Sequence, residues 1–185
     1  MKFLLLLTTI LLQTACTGLP EGMKAVKNFE SERYLGTWYE IARLDHSFEQ
    51  GLEQVSATYS MREDGGIKVI NKGYSTEDKE WKEAIGKAYF VDEKEIGHLK
   101  VSFFGPFYGS YIIFKMDQVN YQYAFISSYN HDYLWLLSRT PQVSEQVKQD
   151  FIDTATEYGF ATEQLIFVDQ TLTNPLTFDK PQLKN

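Results

Sequence analysis

Hydrophobic and polar residues alternate along most of the chain, as they do in strands that bury one face. Val55, Ala57, Tyr59 and Met61 alternate with polar neighbours, and residues 63–66 supply the acidic and glycine residues of a tight hairpin. Eight strands are predicted, over residues 34–43, 55–62, 67–74, 84–90, 99–104, 111–116, 121–127 and 133–139. Because short connections join them, each strand is expected to pair antiparallel with the next. Eight such strands can close into a barrel whose interior holds one small ligand.

The hydrophobic period changes after residue 140. Pro141 and Ser144 mark the start of a helix and Gly159 marks its end. One apolar stripe runs along it, formed by Val147, Phe151, Ala155 and Tyr158. We therefore predict an all-β fold, an eight-stranded antiparallel up-and-down barrel. Its C-terminal α-helix packs outside, and a short ninth strand over residues 165–168 pairs beside the first.

The N-terminus predicts an export signal. Lys2 precedes an apolar run over residues 3–12, and ten residues are too few to span about 30 Å of hydrocarbon as a helix. Cys16 follows and is the only cysteine, so an intramolecular disulfide and a cysteine-based metal cluster are excluded. Four regions are thus expected: a signal peptide (1–15), a tether (16–28), the barrel (29–170) and a flexible tail (171–185).

The residues before Cys16 are similar to the lipobox, at which a signal is cut before a cysteine that is then diacylated. Gln13 stands where that pattern usually has leucine, so an ordinary cleaved signal with an incidental cysteine is the alternative. Thr17, which is not aspartate, follows Cys16 and favours sorting to the outer membrane. The pattern predicts attachment to the membrane through acylated Cys16.

Composition and charge narrow the range of possible functions. With 43% hydrophobic and 15% aromatic residues the chain is globular, and strands suit its many Phe and Tyr residues. Loss of the signal removes Lys2 and no acid, so the mature charge is 17 minus 25, or −8. An acidic chain lacks the basic patch that nucleic acid requires, and charge alone would not draw it to an anionic membrane.

Two distant stretches carry a family signature. Gly36 lies two residues before Trp38 in the first strand, and Arg139 ends the eighth. This Gly-X-Trp strand, the meander and the following helix resemble the lipocalin family over residues 25–170. Four segments, over residues 33–43, 69–74, 100–109 and 132–135, are similar to the bacterial outer-membrane members of that family.

The resemblance implies a binding protein without catalytic activity or cofactor. Its expected ligands are fatty acids or phospholipids, especially lysophospholipids, which it would store or transport to maintain the cell envelope. The domain would face the periplasm, held at the outer membrane by its lipid anchor. At the closed end of the barrel, Arg139 would pack across Trp38.

The residues themselves predict a site inside the barrel. Connections over residues 44–54, 75–83, 104–109 and 129–132 gather at one end, because alternate links of a meander share an end. The aromatic residues of this mouth are Phe48, Trp81, Phe104, Phe107 and Tyr108. The candidate pocket residues are Val55, Ala57, Tyr59, Val69, Ala88, Phe90, Val101, Phe103, Tyr111 and Trp135. Each could equally be plain core, but together they favour a ligand cavity.

A polar headgroup is expected to stay at the rim of the barrel. Lys82, Lys87 or Arg43 could contact its phosphate there, although such residues are more often solvated surface charges. A separate hypothesis makes residues 104–108 a surface for a partner or for a homodimer, since exposed apolar patches often mark interfaces.

Catalysis is the least supported alternative. The consecutive Asp45, His46 and Ser47 are triad residue types, but neighbours on one loop cannot orient one another. Glu40 is expected to be a lone buried acid without a partner. No metal site is predicted, because His98 and His131 lie at opposite ends of the barrel without ligand spacing.

Overall fold

A computed structural model describes residues 17–171. Within these residues there are two helices, α1 (Ser31–Tyr34) and α2 (Glu145–Glu157), and a short 3₁₀ turn covers Thr162–Gln164. The strands are β1 (Gly36–Arg43), β2 (Leu52–Met61), β3 (Ile67–Ser75), β4 (Glu80–Phe90), β5 (His98–Ser102), β6 (Gly109–Met116), β7 (Tyr123–Ser127), β8 (Leu134–Ser138) and β9 (Ile166–Phe167). The predicted signal, Cys16 and nearly all of the predicted tail lie outside the described residues.

Consecutive strands pair antiparallel from β1 to β8, and β1 also pairs with β8. The eight strands therefore close on themselves. β9 pairs with the C-terminal end of β1, at Ala42 and Arg43. This confirms the predicted barrel, outer helix and ninth strand.

Strands β2 and β4 begin three and four residues earlier than predicted. β2 starts at Leu52 and β4 at Glu80, because the backbone ladder of β3 continues to the pairs Leu52↔Ser75 and Ser75↔Glu80. Several side chains of these extensions are polar and exposed, so hydrophobic alternation does not mark where backbone pairing starts. The barrel wall is consequently taller on this side than the sequence pattern indicates.

Two apolar clusters pack on opposite sides of the wall. The inner cluster surrounds Trp38 and includes Phe29 and Tyr34. The outer cluster joins the outward residues of β1, β6, β7 and β8 to Phe151 and Ala155 of α2. β1 therefore contributes to both clusters, with Trp38 in the inner one and Ile41 and Ala42 in the outer one.

The helix α2 begins and ends as the sequence predicts. The Ser144 side chain accepts a hydrogen bond from the amide of Val147 at 3.3 Å, and Gly159 follows the helix with φ +82°. Within residues 17–171, no helix has both the length and the apolar character needed to cross a membrane.

Residues 17–28, predicted as part of a tether, lie against the wall at β5 and β6. The amide of Val26 donates to Ile113 at 2.8 Å, and the amide of Gly97 donates to the carbonyl of Val26 at 2.9 Å. Nearer the start, the Ser110 hydroxyl donates to the carbonyl of Gly18 at 2.7 Å. The described part of this segment is therefore packed on the barrel.

Candidate functional site

The closed end of the barrel is sealed around Trp38, which is fully buried. Its indole Nε1 donates to the carbonyl of Tyr34 at 2.8 Å. The guanidinium of Arg139 lies 4.1 Å from the centre of the indole ring. The same guanidinium donates to the carbonyls of Thr37 at 3.1 Å and Arg33 at 2.7 Å. Arg139, which follows β8, is thereby bonded to both α1 and β1.

Gly36 permits this arrangement in two ways. Its φ of +95° lies in a region that side chains rarely adopt, and a Cβ there would lie 3.3 Å from Nη1 of Arg139. The glycine of the signature is thus required by backbone conformation and by the approach of the arginine.

The opposite end opens into a cavity of about 500 Å³. Its walls come from the predicted mouth loops and the adjoining strand ends. Of the predicted residues, those lining it are Phe48, Val55, Val101, Phe103, Phe104, Phe107, Tyr108 and Trp135. Phe104 and Phe107 are 79% and 69% exposed, so they form part of an open rim.

Two smaller cavities continue the interior. One of about 90 Å³ lies deeper, and the predicted residues lining it are Phe48, Tyr59, Val69, Ala88, Val101, Phe103, Tyr111 and Trp135. The other, of about 50 Å³, includes Ala57 and also Val55, Tyr59, Tyr111 and Trp135. Val101 borders the large and the deep cavity, whereas Trp135 borders all three.

Phe90 and Trp81 lie elsewhere than predicted. Phe90 lines none of these three cavities and packs 6.2 Å from Phe29 in the inner cluster. Trp81 belongs to β4 because that strand begins at Glu80, and it lines none of the three cavities, although residues 82–84 all border the large one. It therefore faces outward, where it packs 5.7 Å from Tyr74.

A charged cluster lies in the inner wall, and the sequence did not reveal it. A bulge in β1 between Glu40 and Ala42 shifts the register against β8. Because a bulge resets the alternation of faces, Glu40 and Arg43 both lie inside and form a buried ion pair at 2.8 Å. The expectation that Glu40 has no partner is therefore wrong.

Glu49 completes this cluster from the loop before β2. Its carboxylate lies 3.1 Å from Nε2 of His46 and accepts a hydrogen bond from the Trp135 indole at 3.0 Å. The guanidinium of Arg43 donates to the carbonyls of Glu49 and Leu52, both at 3.1 Å. These bonds fix the loop against the barrel at the edge of the large cavity.

The pKa values of the Glu40 and Glu49 carboxyl groups are shifted in opposite directions. Burial and the nearby charge of Glu49 raise the pKa of Glu40 well above its ordinary value, more than Arg43 lowers it. Burial also acts to raise the pKa of Glu49, but the contacts with His46, Trp135 and Arg43 lower it overall. Glu49 is thus the more readily ionised of the pair.

The three candidate phosphate contacts differ in position. Lys82 borders the large cavity but pairs with Asp78 at 3.0 Å and with Glu80 at 2.5 Å. Lys87 alternates with the lining residue Ala88 on β4, and Arg43 is committed to Glu40. Only Lys82 among these three is at the rim.

The candidate catalytic residues do not assemble. His46 stacks on Phe48 at 3.9 Å, while Asp45 and Ser47 are exposed. Within the part of the chain that the structure describes, no cluster of three His, Cys, Asp or Glu side chains could hold a metal ion.

Comparison with known proteins agrees with this architecture. The model of a lipocalin-like domain matches residues 29–170. The chain belongs to the lipocalin family. The lipocalin is 56% identical over 170 residues to outer membrane lipoprotein Blc of Vibrio cholerae, a match that covers 92% of this chain and 99% of that protein.

A second relative, outer membrane lipoprotein Blc of Escherichia coli, is 50% identical over 165 residues, covering 88% of this lipocalin and 93% of its own chain. The names of both relatives describe outer membrane lipoproteins, as predicted for this chain. Among solved structures, insecticyanin from the tobacco hornworm Manduca sexta matches with a TM-score of 0.66 at 18% identity, covering 82% of this chain and 86% of that one. That likeness supports the fold alone.

Proposed function

We propose that this lipocalin binds fatty acids or lysophospholipids inside its barrel and stores or transports them in the bacterial cell envelope. The observation that carries the proposal is the cavity of about 500 Å³ behind an exposed aromatic rim. Ligand sites commonly measure about 300–1,000 Å³ and are lined mainly by apolar side chains. A hydrocarbon chain fits both the size and the lining.

Burial of the ligand's hydrocarbon chain supplies enough free energy for useful affinity. Each methylene removed from water contributes about 0.8 kcal/mol, so a dozen contribute about 10 kcal/mol before the costs of association. A charged headgroup does not have to enter the barrel, and Lys82 is the cation best positioned to meet a phosphate at the rim.

The location follows from the relatives and from the N-terminal pattern. As a relative of outer membrane lipoproteins, the chain is anchored at that membrane through acylated Cys16, with its domain in the periplasm. Cys16 lies outside the described residues, so the anchor needs its own test. Cys16→Ser should release the protein into the soluble periplasmic fraction, and continued membrane attachment of this variant would contradict lipidation.

The function is binding without catalysis. The family and the apolar cavity support this, and His46 is engaged by Phe48 and Glu49 instead of by a nucleophile. Turnover of a lipid ester that disappears in His46→Ala would contradict the proposal.

Lipid extraction of the purified protein, together with tryptophan fluorescence, tests binding. Trp135 borders all three cavities, so lysophospholipid should change its emission, whereas Trp81 faces outward and should not respond. The response is expected to vanish in Trp135→Phe and to persist in Trp81→Phe. No extracted lipid and no fluorescence change in the wild type would refute lipid binding.

A further inference from the structure

Asn71 is a polar residue on the inner face of β3. Its neighbours in register are Ala57 on β2 and Ala84 on β4. Small residues on both sides leave space around the amide, and Asn71 borders all three interior cavities. The side chain therefore stands where the parts of the interior meet.

The amide of Asn71 is not satisfied by the protein. Its Oδ1 is shielded from solvent and has no hydrogen-bond partner among residues 17–171. Folded proteins pair nearly all buried polar groups, because an unpaired one costs free energy. A free, shielded carbonyl oxygen matches a ligand group that can donate a hydrogen bond.

Tyrosine hydroxyls that border the same cavities as Asn71 offer a complementary donor. Tyr111 is bonded to Tyr34 at 2.7 Å and to Tyr59 at 2.9 Å. Three hydroxyls carry three protons, and the two bonds between them use two. Within the described residues one O–H is left without an acceptor, and all three tyrosines border the deep cavity.

The charges in the wall favour a neutral ligand group. Glu40 is paired with Arg43, and Glu49 with His46 and the Trp135 indole, so neither carboxyl group is left to attract a cation. An anion would lie close to Glu49 in an environment of low polarity, which is unfavourable.

We propose that Asn71 anchors a neutral O–H group of the ligand inside the barrel, carried by an alcohol or by an un-ionised carboxyl group. The group donates to Oδ1 of Asn71 and accepts from the remaining tyrosine hydroxyl. This inference rests on the proposed lipid binding and adds a preference within it: one oxygen of the preferred ligand lies inside the barrel, between the large and the deep cavity.

The test compares matched ligands by isothermal titration calorimetry of the mature protein. Dodecanol is paired with methyl dodecyl ether, and dodecanoic acid with its methyl ester, because each second member lacks the donor. The wild type should bind the alcohol, the acid or both about tenfold more tightly than the matched derivative, the value of one buried hydrogen bond. In Asn71→Leu and in Asn71→Ala this ratio should fall to about one, and comparing the ratio removes general effects of side-chain size.

The two ligand pairs separate the sources of the O–H group. A preference in the alcohol pair assigns a hydroxyl, and one in the acid pair assigns a carboxyl group. Asn120→Leu, at the opposite end of the barrel, should leave every ratio unchanged, and melting curves verify that each variant folds.

Three results would overturn the inference. Equal binding within both pairs by the wild type shows that water alone serves Asn71, and a preference that survives in both Asn71 variants shows that another residue supplies it. Either leaves lipid binding intact. Failure to bind any of the four ligands refutes lipid binding and this inference together.

Discussion

The two ends of the barrel use the same aromatic residue types in opposite ways. At the closed end Trp38 is fully buried beneath Arg139, and its ring lies 4.6 Å from that of Tyr34. At the mouth Phe104 is 79% exposed beside a cavity of about 500 Å³. The packed end therefore supplies stability, and the open end is left free to bind a ligand.

Breaking the closed end should have the largest effect. Trp38→Ala removes a fully buried indole together with its bond to Tyr34 and its contact with Arg139. The free energy of unfolding is expected to fall by about 3 to 5 kcal/mol, measured by urea denaturation. A loss below about 1 kcal/mol would show that this end does not hold the fold.

The charged cluster between the two ends, around Glu40, should make the stability of the fold depend on pH. Because the pKa of Glu40 is raised on folding, the native state holds its proton more tightly than the unfolded chain. Its contribution is complete below the unfolded pKa, near 4.5, and is lost as the pH rises through the folded value. Glu49, whose pKa is lowered, stays ionised over that range.

Glu40→Gln removes this loss while it keeps an acceptor for Arg43. The stability of the variant relative to the wild type should therefore increase as the pH rises above about 4.5. Denaturant midpoints measured from about pH 4.5 upward test this, and a difference that stays constant or decreases would contradict a raised pKa for Glu40.

Changes at the mouth should affect stability least. Replacing Phe104 and Phe107 together by Ser is expected to change the free energy of unfolding by less than about 0.5 kcal/mol, because both are largely exposed. Val119→Ser, 77% exposed on the turn after β6, is the matched control.

The same variants test the self-association hypothesis. A lower sedimentation coefficient for the Phe104/Phe107 variant, with unchanged ligand uptake and no change for the Val119 control, would support a homodimer through the mouth loop. Reduced ligand uptake without a change in sedimentation would assign these residues to the cavity rim.

The strands and the outer helix could be predicted because their periods of two and 3.6 residues are written directly in the order of apolar residues. Val55 and Val101 border the large cavity because the parity of a strand fixes the face of each residue. Trp81 was misplaced because hydrophobic alternation does not show where the β3–β4 ladder begins.

The polar part of the interior was beyond prediction for a different reason. A bulge that turns Arg43 inward leaves no mark in the hydrophobic pattern, and Glu49 reaches the wall from a loop without periodicity. Asn71 could have been noticed, since it shares parity with Val69 on the inner face of β3. Its unpaired state depends on the neighbours that folding brings to it.

Native mass spectrometry with a cavity-filling variant shows whether a lipid chain is held within the barrel. Val101 borders two cavities and is paired in register with Ala88 and Gly109, so a tryptophan there has room to project into the interior. Ile85, 56% exposed on the outer face of β4, provides the matched control. The wild type and Ile85→Trp should each bind one lysophospholipid per chain, whereas folded Val101→Trp should bind none. Equal binding by all three proteins would contradict a ligand inside the barrel.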